Sequence, residues 1–248
     1  MRYFLELSYN GKAYHGWQIQ PNAISVQEVL EDALSKLLSS EISIVGAGRT
    51  DSGVHASQMF AHFDFERSID TENLVYKLNS FLPKDIAIAD IFEVNSEAHA
   101  RFSATKRTYN YRIAIKKNVF TSTLAYYTQL PLDVEKMNAA SKILLEYNDF
   151  QCFSKSNTDV KTYYCKIEEA YWEQKGDELV FTIAADRFLR NMVRAIVGTL
   201  VNIGLNKLQV EDMHHIIESK DRGKAGFSVP AHGLYLVEVN YPKTIRTL

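Results

Sequence analysis

Residues 46–56 combine the residue types of a reactive site. Their sequence, GAGRTDSGVHA, follows the apolar run ISIV and holds three glycines, one histidine, Arg49 and Asp51. Gly48 and Gly53 would let the backbone adopt positive φ and let a ligand approach closely, whereas the charged pair is costly to bury without partners. The composition suits a phosphate-binding loop, a metal site, a catalytic carboxylate, or a connection between strands.

The spacing of this stretch excludes several of these sites. A Walker A loop needs a lysine after its last glycine, but Val54 follows Gly53. A dinucleotide fingerprint needs glycine where Asp51 stands, and a carboxylate would repel a pyrophosphate. No familiar ligand spacing relates Asp51 to His55 and His62, so we expect no metal. A catalytic carboxylate and a structural turn with an Arg–Asp surface contact remain, and His55 is expected to be structural.

A second stretch pairs basic with aromatic side chains. Residues 99–117, HARFSATKRTYNYRIAIKK, contain no acid and include Phe102, Tyr109 and Tyr111. Cations for phosphates and rings for stacking suit unpaired nucleic acid, and the alternative is a solvated charged strand face. Residues 187–194, RFLRNMVR, form another basic segment. The formal net charge of −2 argues only mildly against nucleic acid, because the basic residues are clustered.

Composition places the chain among cytosolic proteins with a substantial core. It has 248 residues, of which 46% are hydrophobic. Cys152 and Cys165 lack CxxC spacing, so we expect them to be reduced and buried. No signal peptide and no apolar run of about eighteen residues is evident, so we expect neither export nor a membrane span.

Hydrophobic periodicity predicts the elements that would position these residues. In the first half it predicts a strand over 3–9, a helix from a Ser25 cap to about residue 38, strands over 42–45 and 59–66, a helix over 71–81, and a strand over 86–94. In the second half it predicts a strand over 107–115, a helix over 133–147, strands over 163–173 and 178–185, a helix over 187–204, and a strand over 234–241. The glycine-rich stretch therefore joins two strands.

The order of elements begins again near residue 105. We therefore expect an α+β fold of two subdomains, residues 1–104 with the Asp51 stretch and residues 105–248. They would share a sheet or pack closely, with any site in the cleft between them.

Six ordered blocks, covering essentially the whole chain, resemble the tRNA pseudouridine synthase A family. They are GWQIQ after a YNG turn, GRTDSGVHA, HARFSATKRTYNYRI, DFQCFSK, RFLRNMVRAIVG and GFSVPAHGLYL. The resemblance implies two ferredoxin-like (RRM-like) halves with a mainly antiparallel sheet, a catalytic cleft between them, a homodimer, and no cofactor or metal. It also implies isomerisation of uridine to pseudouridine at positions 38, 39 and 40 of tRNA, in the anticodon stem-loop.

The resemblance assigns roles to individual residues. Asp51 falls on the catalytic aspartate, which acts as a nucleophile or assists loss of uracil electrostatically. Arg194 falls on the arginine that pairs with it, keeping it charged and oriented. Tyr109 matches the tyrosine that stacks on the target base and influences proton removal, and Tyr111, with the same strand parity, competes for this role. Arg49 matches a position that handles the flipped nucleotide.

The chain departs from the family pattern at Ser52, where alanine is usual. The added hydroxyl could hydrogen-bond the catalytic carboxylate. Core packing is the alternative role for the tyrosines, and a surface charge is the alternative for the arginines. Two other classes of protein also fit the residues, namely a non-catalytic RNA-binding protein of two RRM-like halves and a nucleoside N-glycosidase with one carboxylate.

Overall fold

The structure, a computed structural model, describes residues 1–156 and 160–246. The predicted C-terminal subdomain, 105–248, includes both stretches that lie outside these residues. The strands are β1 (Arg2–Tyr9), β2 (Val45–Gly46), β3 (His55–Asp64), β4 (Ile86–Val94), β5 (Lys106–Ala114), β6 (Tyr126–Tyr127), β7 (Ile167–Lys175), β8 (Glu178–Ala185) and β9 (Leu234–Asn240). The helices are α1 (Val26–Leu38), α2 (Thr71–Phe81), α3 (Val134–Ile143), α4 (Met192–Gly204) and α5 (Asp212–Ser219). Helices combine with parallel and antiparallel strand pairs, so the chain is an α+β protein.

Contacts divide the chain into two compact units. The first comprises Met1–Lys106 together with Tyr235–Leu248, and the second comprises Arg107–Leu234. All but the first residue of β9 therefore belongs with the N-terminal part of the chain. The predicted division into subdomains 1–104 and 105–248 stays a prediction.

The sheet of the first unit carries the Asp51 stretch. Its strand order is β4-β1-β3-β9, and β2 also pairs with β3. All pairs are antiparallel except β3 with β9, where His55 lies opposite Tyr235 and Ala56 opposite Leu236. Helix α1 begins at the predicted cap, where the Ser25 side chain accepts a hydrogen bond from the Glu28 N–H at 3.2 Å. Such a cap contributes about 1 kcal/mol.

The sheet of the second unit has the strand order β5-β8-β7, all antiparallel, with β6 parallel to β5. Helix α4 is almost wholly enclosed, since only Arg194 and Asn202 of its residues are not buried. Cys152 and Cys165 are buried and reduced, as predicted.

Several boundaries differ from the predicted ones. Only Val45 of the run ISIV lies in a strand, and β3 begins at His55 rather than at residue 59. Helix α4 begins at Met192 rather than at residue 187, because Asn191 adopts the left-handed conformation with φ 67°. That conformation interrupts a helix.

Two elements were not predicted, namely β6 and α5. Helix α5 has the buried residues Met213, Ile216 and Ile217. Their spacing is helical, so this helix could have been recognised from the sequence. No helix within the described ranges is both long and apolar enough to cross a membrane.

Candidate active site

Asp51 lies in the connection between β2 and β3, as predicted. The Val54 N–H donates to the Asp51 carbonyl at 3.1 Å, which closes a turn. Gly53 has φ +79°, whereas Gly48 does not adopt positive φ, so only Gly53 of these two glycines uses that conformational freedom. A Cβ on Gly48 would meet nothing within 4 Å. Asp51 is half-buried. The turn therefore borders open space at Gly48 and carries a half-buried Asp51.

Residues 11–17 lie against this turn. The Tyr14 carbonyl accepts hydrogen bonds from the Gly53 N–H and from the Ser52 hydroxyl, both at 3.3 Å. Tyr14 is held at its other end, where its hydroxyl donates to Asp85 Oδ1 at 2.7 Å. Burial, and then this carboxylate, raise the pKa of Tyr14, so it remains a neutral donor.

Thr50, the residue before Asp51, is held from two sides. Its Oγ1 lies 2.8 Å from the Tyr9 hydroxyl, and its carbonyl accepts from the Trp17 N–H at 3.3 Å. Gly16 passes so closely, with φ +91°, that a Cβ there would lie 2.4 Å from the Thr50 carbonyl oxygen. The GW dipeptide of one block thus positions the aspartate of another. The sequence resemblance assigned no role to Tyr9 or Thr50, although Thr50 lies within the GRTDSGVHA block and Tyr9 begins the YNG turn.

His55 is structural, as expected. It is 1% exposed, and its Nδ1 accepts a hydrogen bond from the Gly11 N–H at 3.1 Å. This bond places the proton of the neutral ring on Nε2. The imidazole also stacks on Tyr235, with centroids 4.6 Å apart and planes inclined by 20°. His55 therefore links residues 11–17 and β9 to the end of the Asp51 turn.

Arg49 and Ser52 lie on the exposed side of the turn. The Arg49 side chain makes no hydrogen bond or ion pair with any residue of 1–156 or 160–246. An exposed guanidinium of this kind is available for an anionic ligand. The Ser52 hydroxyl donates to the Tyr14 carbonyl, so its role differs from the expected bond to the carboxylate.

The two candidate tyrosines on β5 have different environments. Tyr111 is 0% exposed, and its hydroxyl donates to the Pro230 carbonyl at 2.9 Å. Burial raises the pKa of this hydroxyl. Tyr109 is half-buried, and its ring meets Phe188 edge to face with centroids 5.2 Å apart. Tyr111 is thus a core residue, and Tyr109 is the tyrosine with surface to offer a ligand.

Arg194 lies in the first turn of α4 and is half-buried. Its Nε donates to the Val229 carbonyl at 2.8 Å, and its own carbonyl accepts from the Val229 N–H at 3.2 Å. Just before the helix, the Asn191 amide donates to the Ser228 hydroxyl at 2.7 Å. The GFSVP block therefore orients Arg194, so this arginine is not a freely solvated surface charge.

The predicted site residues are shared between the two units. Arg49 and Asp51 lie on one turn of the first unit, whereas Tyr109 and Arg194 belong to the second. Within the described residues, no three His, Cys, Asp or Glu side chains are grouped so that they could hold a metal ion.

The chain matches known proteins over nearly its whole length. A family model described as "tRNA pseudouridine synthase" matches residues 7–103 and 140–242. A protein of Parabacteroides distasonis named tRNA pseudouridine synthase A is 56% identical, over 98% of this chain and 97% of its own. Proteins of the same name are 53% identical in Bacteroides fragilis, over 98% of both chains, and 39% identical in a Thermoanaerobacter species, over 95% of this chain and 97% of its own. These matches far exceed what a shared fold requires, and the chain therefore belongs to the tRNA pseudouridine synthase family.

Proposed function

We propose that this protein isomerises uridine to pseudouridine in tRNA, at positions 38 to 40 of the anticodon stem-loop, with Asp51 as its catalytic aspartate. The observation that carries the proposal is the match to relatives named tRNA pseudouridine synthase A along nearly the whole chain. The braced turn around Asp51 supports the choice of this carboxylate, because a catalytic group acts best when its supports are rigid.

The reaction moves the uracil ring without changing the composition of the RNA. The bond from N1 to ribose C1′ breaks, a bond from C5 to C1′ forms, C5 loses its proton, and N1 gains one. Asp51 acts as an ionised carboxylate, either by attacking the substrate or by stabilising the separated ring and sugar.

The other candidate residues assist Asp51 in this proposal. Arg194 pairs with the carboxylate and holds it charged. Tyr109 stacks on the target base and influences removal of the C5 proton. Arg49, exposed on the same turn as Asp51, contacts the displaced nucleotide or its phosphate. The proposal includes the two ferredoxin-like halves, each of which contributes residues to one catalytic cleft.

A base within a paired stem must leave the helix before it can react. Moving the base out of the helix costs a few kcal/mol. Several phosphate contacts, or one stacking contact with the base, can offset a cost of this size. A locally basic surface offsets this cost even though the formal net charge of the chain is −2. We place the enzyme in the cytoplasm as a homodimer, and sedimentation velocity on the purified protein tests the dimer.

The decisive experiment measures tritium release from C5-labelled uridine in tRNA. Asp51→Asn keeps the size of the side chain but removes its charge, so we expect loss of activity by at least about a thousandfold with retained tRNA binding. Ser52→Ala, at the neighbouring position, is the matched control. Release that survives Asp51→Asn would refute the catalytic assignment.

The same RNA distinguishes the rival functions. An N-glycosidase would liberate free uracil and leave an abasic site, whereas isomerisation leaves the mass of the RNA unchanged. A non-catalytic RNA-binding protein would produce neither tritium release nor pseudouridine. Pseudouridine mapping in cells lacking the protein, complemented by wild type or Asp51→Ala, would identify the modified uridines.

A further inference from the structure

Residues 99–103 of the first unit form a tight turn that none of the proposed catalytic roles uses. The His99 N–H donates to the Ser103 hydroxyl at 3.0 Å, and the Ser103 N–H donates to the His99 carbonyl at 2.9 Å. The Tyr241 hydroxyl donates to the Ala100 carbonyl within the same turn. The turn is therefore closed on itself and tied to the chain beyond β9.

Two imidazoles accept the hydrogen bonds of three successive backbone amides in this turn. His62 Nδ1 accepts from the Ala100 N–H at 3.1 Å. His99 Nδ1 accepts from Arg101 and Phe102, at 3.1 and 3.3 Å. An acceptor nitrogen cannot carry a proton, so both rings must be neutral. Burial above all lowers the pKa of each ring, to about 4 for His62, which agrees with this arrangement.

The turn displays a phenyl ring and a guanidinium together. Phe102 is 76% exposed, although burying a large apolar side chain away from water is energetically favourable. The guanidinium carbon of exposed Arg101 lies 5.5 Å from the centre of the Phe102 ring. The ring also meets His99, with centroids 4.4 Å apart. Phe102 is thus oriented by its neighbours while most of its surface faces solvent.

Charged side chains of both signs lie beside the turn. Arg2 lies beside the start of the turn, where its Nη1 donates to the carbonyl of the preceding residue, Ala98, at 2.9 Å. Its Nε and Nη2 both bind Asp64 at 2.8 Å, and the charge of Glu97 acts on the same guanidinium. The charge of Asp64 is thereby paired with that of Arg2. Arg101 is exposed within a stretch that has no acid from residue 98 to residue 117.

We propose that the turn 99–103 is a tRNA-binding surface distinct from the catalytic residues, in which Phe102 stacks on an unpaired base and Arg101 contacts a phosphate. The inference rests on the proposed function, because it takes tRNA as the partner. An exposed ring beside a cation suits a nucleotide, which offers a π-face and a negative charge. His62 and His99 are positioning residues, since they hold the backbone that carries the two contacts.

The test measures the Kd for an unmodified tRNA transcript by fluorescence anisotropy, in an Asp51→Asn background so that the ligand is not altered. Phe102→Ala should raise the Kd about tenfold, and Phe102→Trp should keep it within about twofold. Arg101→Gln should also raise the Kd and should lower the slope of log Kd against log salt by about one, whereas Phe102→Ala should leave that slope unchanged.

Phe81→Ala is the matched control. Phe81 is a 50% exposed phenylalanine with a cation, Lys36 Nζ, 5.7 Å from its ring centre. It lies on α2, away from the turn, so its removal should leave the Kd within about twofold. An equal loss in the Phe81 and Phe102 variants would mean that any exposed ring has this effect and would overturn the inference.

A second comparison tests the imidazole support. His99→Ala removes the acceptor and should weaken binding about as much as Phe102→Ala, whereas His99→Asn places an amide oxygen near the position of Nδ1 and should restore affinity to within about threefold. Failure of this rescue, with both variants folded by circular dichroism, would contradict the positioning role.

The remaining outcomes also decide the matter. A Kd that Phe102→Ala leaves unchanged would overturn the tRNA contact. If the same variant also altered the sedimentation of the protein, the Phe102 ring would instead be assigned to contact with a second copy of the chain. Loss of tritium release in Asp51→Asn alongside an unchanged Kd in Phe102→Ala would leave the proposed function intact and remove only this inference. A wild-type protein that binds no tRNA would refute both.

Discussion

Tyr109 and Tyr111 share strand parity on β5 but differ in what their hydroxyls do. The hydroxyl of Tyr111 is enclosed and donates to the Pro230 carbonyl. We expect Tyr111→Phe to lower the free energy of unfolding by about 1 kcal/mol, because the enclosed hydrogen bond to the Pro230 carbonyl is lost, while kcat/KM stays unchanged. Tyr109→Phe should lower kcat about tenfold or more. Urea denaturation and tritium release would measure the two effects, and reversed results would exchange the roles of the tyrosines.

Ser52 is the residue at which the Asp51 turn departs from the usual alanine. Its hydroxyl makes one long bond, 3.3 Å, to the Tyr14 carbonyl from an exposed position. We therefore expect Ser52→Ala to change stability by less than about 0.5 kcal/mol and kcat/KM by less than about threefold. A large loss of kcat in steady-state assays would indicate that the hydroxyl acts on the reaction.

At the scale of the element, residues 11–17 act as a brace for the Asp51 turn. Gly16 has φ +91° and no room for a Cβ, whereas Gly176 has φ +60° with nothing within 4 Å of the added atom. Gly176→Ala should cost about 1 kcal/mol from backbone strain alone. Gly16→Ala should cost more and should also lower kcat, because the Thr50 carbonyl must move and carry Asp51 with it. Equal unfolding midpoints and an unchanged kcat in the two variants would contradict the brace.

Local signals predicted some elements accurately. The Ser25 cap and its apolar spacing placed α1, and the segment 71–81 matched α2. The helical pattern over 187–204 failed at its start because periodicity does not register the left-handed Asn191. That conformation accompanies a bond to Ser228, which is 37 residues away.

The location of Asp51 between two strands was predictable, but its supports were not. Tyr9 and Thr50 are 41 residues apart, and Tyr111 and Pro230 are 119 apart. Such pairings depend on tertiary packing, which strand parity cannot reveal. The sequence could therefore place the carboxylate on a turn without distinguishing Tyr109 from Tyr111.

For the whole molecule, buried neutral imidazoles make stability depend on pH. Burial is the main factor that lowers the pKa of His62 from an ordinary 6.5 to about 4. Arg2 and the neighbouring His99 lower this pKa further, whereas the charge of Asp64 raises it. His62 binds a proton more readily in the unfolded chain than in the folded one. Its contribution to the stability of the fold is therefore complete above about pH 6.5 and is lost as the pH falls toward 4. The loss is at most about 1.4 kcal/mol per pH unit for this group.

His62→Asn isolates this effect, because asparagine can accept the Ala100 N–H bond but does not titrate. Urea titrations at several pH values should show that the variant loses less stability than wild type between pH 6.5 and 4. Parallel curves for the two proteins would assign the acid sensitivity to other groups.

The pairing of β3 with β9 also sets an order of events during synthesis. Residues 65–233 must be synthesised between these two strands, which at ordinary rates takes on the order of ten seconds or more. Until then His55 lacks its stacking partner, the Tyr235 ring. Gln58 Oε1 likewise lacks the hydrogen bond that it accepts from the Val239 N–H at 2.9 Å. The exposed edge of β3 is open to wrong partners during that interval. The part of the chain that carries Asp51 is thus begun first and completed last, so a nascent protein gains the Asp51 turn in its final form only after the second unit has emerged.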